Sequence, residues 1–192
     1  MQPKQIESPF RKFVGLIHPP APYLALPKVD NKKKRIEDVV NREDPRDLFV
    51  DVEQIGEGTF GKVYVGIDKR SKEKVAIKKM DLNDNYEEDL ITEVDMMNTL
   101  KHPNIVRYIC SFKVGTELWV VMEFMGGGSL TDILELHKHL DIKEEYIARI
   151  MLESLKALEY IHSLHRIHRD IKSDNILLDS FGAIKLADFG YT

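Results

Sequence analysis

From Leu48 onward the chain alternates apolar and polar residues in short runs. Leu48, Val50, Val52 and Ile55 lead into a glycine cluster. Val63, Val65 and Ile67 lead out of it, interleaved with Lys62, Tyr64 and Gly66. A period of two puts successive side chains on opposite faces, so both runs read as strands of one hairpin. Asp68-Lys69-Arg70-Ser71-Lys72 is a polar turn, and Val75-Ala76-Ile77-Lys78 is a third strand. The period then changes. Leu90, Ile91, Val94, Met97 and Leu100 recur at helical spacing, and the helix should stop near His102-Pro103, because proline disfavours helix at the residue before it. Tyr108 to Val114 and Leu118 to Glu123 predict a second hairpin across Gly115-Thr116. The middle of the chain is therefore expected to hold five strands and one helix.

Gly126-Gly127-Gly128 reads as a flexible hinge after those strands. Ser129 is a fitting N-cap for a short helix from Leu130 to Lys138. A longer helix runs from about Lys143 to His162, with Tyr146, Ile147, Ile150, Met151, Leu155, Leu158 and Ile161 as its apolar stripe. Two short strands, Ile176-Leu177-Leu178 and Ala183 to Leu186, are joined by Ser180-Phe181-Gly182. The class is α+β: an antiparallel sheet with one main helix, then the first part of a mainly helical region. The expected divisions are 1–46, 47–124 and 125–192. The first differs in composition. It crowds Pro3, Pro9, Pro19, Pro20, Pro22 and Pro27 together and carries Lys32-Lys33-Lys34-Arg35, so it reads as an extended or disordered basic extension.

Bulk numbers narrow the function classes. The net charge of −4 over 192 residues offers no basic field for nucleic acid. No apolar run reaches the length of a membrane span, and the first residues lack the apolar core of a signal peptide. With Cys110 the single cysteine, an internal disulfide is impossible, which suits a reducing compartment such as the cytoplasm.

Three stretches carry chemistry. Gly56-Glu57-Gly58-Thr59-Phe60-Gly61-Lys62-Val63 fits G-x-G-x-x-G-x-V. Its glycines let backbone N–H groups approach phosphate oxygens, and the strand that follows rules out the dinucleotide-binding use of a similar string, in which a helix follows. Strand alternation puts Ala76 and Lys78 on one face, where small Ala76 leaves room for a base and Lys78 reaches a phosphate. Glu93, beside the apolar face of the predicted helix, can hold that ammonium in place. Finally His168-Arg169-Asp170-Ile171-Lys172-Ser173-Asp174-Asn175 precedes Asp188-Phe189-Gly190. Asp170 can accept a proton from an attacking hydroxyl, and Lys172 can neutralise charge on a phosphoryl group. Asn175 and Asp188 offer oxygen ligands suited to Mg²⁺. The seven histidines show no zinc-ligand spacing.

Taken in order, these motifs resemble a eukaryotic protein kinase over roughly Asp47 to Thr192. The resemblance implies that ATP and Mg²⁺ are used and that a serine or threonine of a protein is the acceptor. It implies that the loop Gly56, Glu57, Gly58, Thr59, Phe60 and Gly61 binds ATP, its glycines covering the phosphates, and that Lys78 contacts the α- and β-phosphates while paired with Glu93. Ile55, Val63, Ala76 and Leu177 would sandwich adenine, with Met122 as gatekeeper and Glu123 and Met125 as hinge backbone contacts. Asp170 would be the catalytic base, Lys172 would assist transfer, and Asn175 and Asp188 would bind Mg²⁺. Met97, Tyr108, His168 and Phe189 would stack as a spine. Lys172, two places after Asp170, resembles serine/threonine rather than tyrosine kinases.

Within the family, Glu117-Leu118-Trp119-Val120-Val121-Met122-Glu123, Gly127-Gly128-Ser129-Leu130-Thr131-Asp132 and the run from His168 to Leu178 resemble the PAK group, signalling kinases activated by Rho-type small GTPases. Ile6, Ser8, Pro9 and Phe10 are similar to the opening of that group's GTPase-binding element, but its histidine-rich continuation is absent. The family continues past Gly190 with an activation loop, an Ala-Pro-Glu element and large helices that these 192 residues do not include. The expectation is that this chain alone is inactive and leaves the stripe of its long helix exposed. The alternative is a non-catalytic fragment that binds a nucleotide or a partner.

Overall fold

The computed structural model describes residues 35–58, 61–82, 87–139 and 141–189. Thr59, Phe60 and Gly190 from the motifs, and the extension up to residue 34, lie outside the described residues.

The alternating runs form a five-stranded antiparallel sheet. Its strands are β1 (Phe49–Gly58), β2 (Gly61–Asp68), β3 (Lys74–Asp81), β4 (Tyr108–Val114) and β5 (Glu117–Glu123), in the spatial order β1-β2-β3-β5-β4. Between β3 and β4 lies helix α1 (Glu87–Thr99), whose first turn carries Glu87, Glu88 and Asp89, acids that favour the positive end of the helix dipole. The two faces of the sheet bury separate clusters. Val75, Ile77, Trp119 and Val121 join Phe49 and Phe112 on one face. Met80, Leu118 and Val120 join α1 through Leu90, Ile91, Val94 and Met97 on the other. Ile77, Leu118, Val120 and Val121 are fully buried, and each contributes about 1.5–3 kcal/mol relative to an exposed counterpart.

A second, three-stranded sheet in the order β6-β7-β8 follows. It comprises β6 (Gly128–Ser129), β7 (Ile176–Leu178) and β8 (Ile184–Leu186), with helices α2 (Leu130–Leu136) and α3 (Glu144–Ser163) inserted after β6. Ser129 caps α2 as expected: its Oγ accepts from the Asp132 N–H at 3.0 Å, and Asp132 Oδ2 accepts from the Ser129 N–H at 3.0 Å. The two sheets are tied by backbone. Val106 N–H donates to Leu186 O (2.9 Å), and Leu186 N–H donates to Asn104 O (2.8 Å). Asn104 in turn donates its amide to Glu153 Oε2 on α3 (2.7 Å) and to Ile184 O (2.9 Å).

Three expectations change. The glycine run is not a free hinge. Gly127 N–H donates to Leu178 O at 2.9 Å, Gly128 pairs with Leu178, and a Cβ on Gly127 would lie 2.9 Å from that carbonyl oxygen. Only glycine lets the two segments come so close. The second change concerns residues 35–46, which were assigned to the extension. Ile36 is 1 % exposed and belongs to the α1 cluster, with Val39 and Val40 packed against it. Their i, i+3, i+4 spacing was the sequence signal for this packing, and the prolines upstream overshadowed it. The third change divides the stripe of α3. Ile150, Leu158 and Ile161 pack inward beside Ala157, whereas Tyr146, Ile147, Met151 and Leu155 are about half exposed. No helix among the described residues is long and apolar enough to cross a membrane.

Candidate active site

The register of β3 decides which lysine faces inward. Ala76 and Lys78 lie opposite Val65 and Val63 of β2 and opposite Met122 and Val120 of β5. Lys79 points the other way and sits over the rings of Trp119 (3.7 Å) and Tyr64 (4.2 Å). Lys78 Nζ lies 3.2 Å from Glu93 Oε1 on α1 and 3.3 Å from Asp188 Oδ1 just beyond β8. The Lys78 and Glu93 side chains are 13 % and 6 % exposed, so both are nearly dry. Burial pulls the Lys78 pKa down, but Glu93 and Asp188 more than reverse it, so its pKa stands above the ordinary lysine value. One cation between two anions thus joins three separate elements.

This group closes one end of a cleft of about 350 Å³. Ile55, Gly56, Val63, Ala76, Met122 and Glu123 line it from the first sheet, Met125 from the connection, Leu177 from the second sheet and Asp188 from just beyond it. Every one of them was expected at the site from sequence. Val106, Phe124, Gly128, Ser129, Asp132, Asp174 and Ala187 also line it and were missed. Of these only Ala187, small and directly before Asp188, carried a usable signal. A larger depression of about 570 Å³ lies behind α1, lined by Asn98, Leu100, His102 and Arg107 among others. It holds Met97 and Tyr108 of the expected spine but none of the residues expected to meet phosphate or Mg²⁺, so chemistry rather than size selects the first cleft.

Asp170, Lys172 and Asn175 form a second group, outside the lining of the cleft. Lys172 Nζ lies 2.8 Å from Asp170 Oδ2, and Asn175 Nδ2 donates to the same oxygen at 3.0 Å and to Asp170 O at 2.8 Å. The Lys172 contact, followed by that of Asn175, holds the Asp170 carboxyl below the usual carboxylate range, and Asp170 raises Lys172 in return. The two groups meet at Ala187. Its N–H donates to Asn175 O (2.9 Å), and its carbonyl accepts from His168 Nε2 (3.1 Å). Asp188 is therefore anchored to the loop that carries Asp170. Arg169 and Asp188 both hold positive φ (62° and 63°), backbone strain of order 1–3 kcal/mol each that packing must sustain.

The expected spine is present in part. His168 and Phe189 rings lie 4.9 Å apart, both buried, and Met97 and Tyr108 belong to or border the same apolar cluster. The Glu123 side chain does something the sequence did not signal. Its Oε1 takes a bond from Lys185 Nζ on β8 and another from the Arg107 N–H, each at 2.6 Å. The end of β5 is thereby pinned to the second sheet at the back of the cleft. In the glycine loop, Gly58 and Gly61 pair across the β1–β2 turn, and Gly61 holds φ 134°, where a side chain would collide with Lys79 O.

Such an arrangement can receive an apolar ring between the sheets, a polyanion at the ammonium and a hydroxyl at Asp170. Comparison with known proteins gives the family. The protein kinase domain family matches residues 49–192. Serine/threonine-protein kinase pakC of Dictyostelium discoideum is 52 % identical over 168 residues, which is 87 % of this chain and 35 % of that protein. Serine/threonine-protein kinase pakB of the same organism is 51 % identical over 166 residues, 86 % of this chain and 20 % of that protein. Serine/threonine-protein kinase PAK 1 of Mus musculus is 44 % identical over 168 residues, 86 % of this chain and 30 % of its own length. The chain thus spans about a third or less of these relatives. It belongs to the protein kinase domain family and, within it, to the PAK group of serine/threonine kinases.

Proposed function

We propose that this chain supplies the nucleotide cleft and catalytic loop of an ATP-dependent, PAK-type protein serine/threonine kinase. The observation that carries this reading is the Lys78 ammonium held between Glu93 and Asp188 at the end of an apolar cleft. Such a cation is dry, fixed and matched to phosphate oxygens. Ile55, Val63 and Ala76 above and Leu177 below would enclose adenine, and the connection at Met122, Glu123 and Met125 would meet its polar edge. The backbone of Gly56, Gly58 and Gly61 would cover the phosphates, with Glu57, Thr59 and Phe60 completing the loop.

The donor set fits Mg²⁺. Asn175 gives its Nδ2 to Asp170, so the atom it can offer a cation is the neutral Oδ1, and Asp188 offers a carboxylate on the same side as Lys78. Two oxygen donors suit an ion that keeps waters and phosphate oxygens in its shell. Among the described residues no group of three or more His, Cys, Asp or Glu is arranged to hold a metal. Bound Mg²⁺ would neutralise phosphate charge. Asp170 has both partners on Oδ2, which leaves Oδ1 to accept the proton of an incoming serine or threonine hydroxyl. Lys172, fixed by the same carboxylate, would sit beside the transferred group. A single cysteine, Cys110, fits a reducing compartment such as the cytoplasm, and burial pushes its thiol up to about 11, which disfavours the thiolate.

The test is phosphate transfer from labelled ATP to a basic, serine-containing protein by the full-length protein that carries this chain. Transfer that Asp170→Ala abolishes supports the reading. No transfer, or transfer indifferent to Asp170→Ala, overturns it.

A further inference from the structure

Helix α1 is buried on more of its surface than one partner can cover. Leu90, Ile91, Glu93, Val94, Met96 and Met97 are all buried. At roughly 100° per residue they span about 220° of the circumference. The sheet and Phe189 account for one side. The other side meets the segment before β1. Asp38, Val39, Val40 and Asn41 line a cavity of about 320 Å³ together with Val94 and Asn98 of α1. Ile36 enters the cluster of Leu90, Ile91 and Val94 and is 1 % exposed.

That segment is fastened to β4. Asn41 N–H donates to Ser111 O at 2.7 Å, and Asn41 bridges to Phe112. Ser111 Oγ donates to Val39 O at 2.6 Å and in turn accepts from Tyr108 Oη at 2.8 Å. Ser111 is fully buried, so this relay is sheltered from water. An exposed ion pair between Glu37 and Lys113 (3.7 Å) adds little. The segment is therefore fixed to the sheet at one end and wedged against the helix at the other.

We infer that Ile36–Asn41 is a clasp that positions α1, holding Glu93 at the distance where it meets Lys78. Ile36 is a positioning residue: its side chain packs in the apolar cluster and acts on the ion pair through α1. The inference rests on the kinase reading only where it links the ion pair to MgATP. Loosening the clasp lowers the population in which Glu93 engages Lys78, and apparent affinity falls in proportion to that population.

The experiment measures backbone hydrogen exchange and MgATP affinity in the full-length protein. Ile36→Ala should speed exchange of α1 amides, leave β5 and α3 amides unchanged, and weaken MgATP binding on the order of tenfold, as when the competent population falls to about a tenth. Ile36→Leu should restore both. Ser111→Ala, which unfastens Val39 without touching the apolar cluster, should move both readouts in the same direction. In a Glu93→Gln background, Ile36→Ala should weaken MgATP binding no further. Unchanged α1 exchange in Ile36→Ala and Ser111→Ala overturns the clasp. So does an equal affinity loss with and without Glu93. If Ile36→Ala does not fold, Ile36→Val and Ser111→Ala carry the same comparison. If the unaltered protein fails to bind MgATP, the kinase reading falls, and α1 exchange alone decides the clasp.

Discussion

Replacing Lys78 with methionine removes a charge from one of the driest places in the structure. The ammonium lies 3.2 Å from Glu93 and 3.3 Å from Asp188. At those distances and an effective dielectric of about 20, each attraction is about 5 kcal/mol before desolvation is subtracted. Asp188 is 32 % exposed and can rehydrate once its partner is gone. Glu93, with a side chain 6 % exposed, cannot. Leaving a buried charge without its partner costs about 3–5 kcal/mol, a large share of the roughly 5–15 kcal/mol that holds a domain together. Urea denaturation of the unaltered and Lys78→Met proteins should show that loss at pH 8. The Lys78 charge contributes stability that is fully present below its unfolded pKa of about 10.4, and that stability is lost only as pH rises through the raised folded value. Between pH 5 and 8 the lysine therefore does not titrate. Adding Glu93→Leu should recover most of the loss, because apolar residues of similar volume replace buried ion pairs at little cost. A loss below about 1 kcal/mol would refute the view that this pair is dry and tightly coupled.

Two further outcomes follow from particular contacts. Gly127→Ala places a Cβ 2.9 Å from Leu178 O and 3.1 Å from Asp179 O, so it should lower stability by about 1–3 kcal/mol; an unchanged urea midpoint would contradict the close approach of β6 and β7. His168 is held neutral because burial lowers its pKa, against the opposing pull of the Ala187 carbonyl and of Asp188 and Asp170. The unfolded chain takes up a proton near pH 6.5 that the folded chain does not, so stability present at pH 7.5 should be lost as pH falls through that value, with a slope up to one proton shallower in His168→Phe. Equal slopes in the two proteins would show that the ring titrates alike in both states.

Strands and helices whose period extends over several residues were legible before the structure was seen. The β1–β2 and β4–β5 hairpins, α1 and the Ser129 cap stand where alternation and capping chemistry put them. Strand parity also separated Lys78 from Lys79. What stayed hidden depends on contacts between distant parts of the chain. Gly128 and Ser129 form a strand only because Leu178 and Leu177 arrive some 50 residues later. Gly-Gly-Gly by itself speaks only of freedom. The pairing of Glu123 with Lys185 likewise requires the second sheet to be in place. Ser129 was readable as a cap, but neither it nor its partner Asp132 as part of the cleft wall. Ile36 shows the opposite error, in which a true local signal was outweighed by the composition around it. At the site, residue types pointed to the chemistry proposed above, whereas the Ala187 link between the two charged groups appears only in three dimensions.

In the function proposed, Asp188 and Lys78 together make a site for a magnesium-bound triphosphate. Titration calorimetry of the full-length protein with ATP, in the presence and absence of Mg²⁺, tests it most directly. Mg²⁺ should tighten binding of ATP, Asp188→Ala should abolish this gain, and Lys78→Met should weaken binding whether or not Mg²⁺ is present. ATP binding with equal affinity in both conditions, unaffected by either substitution, would contradict it.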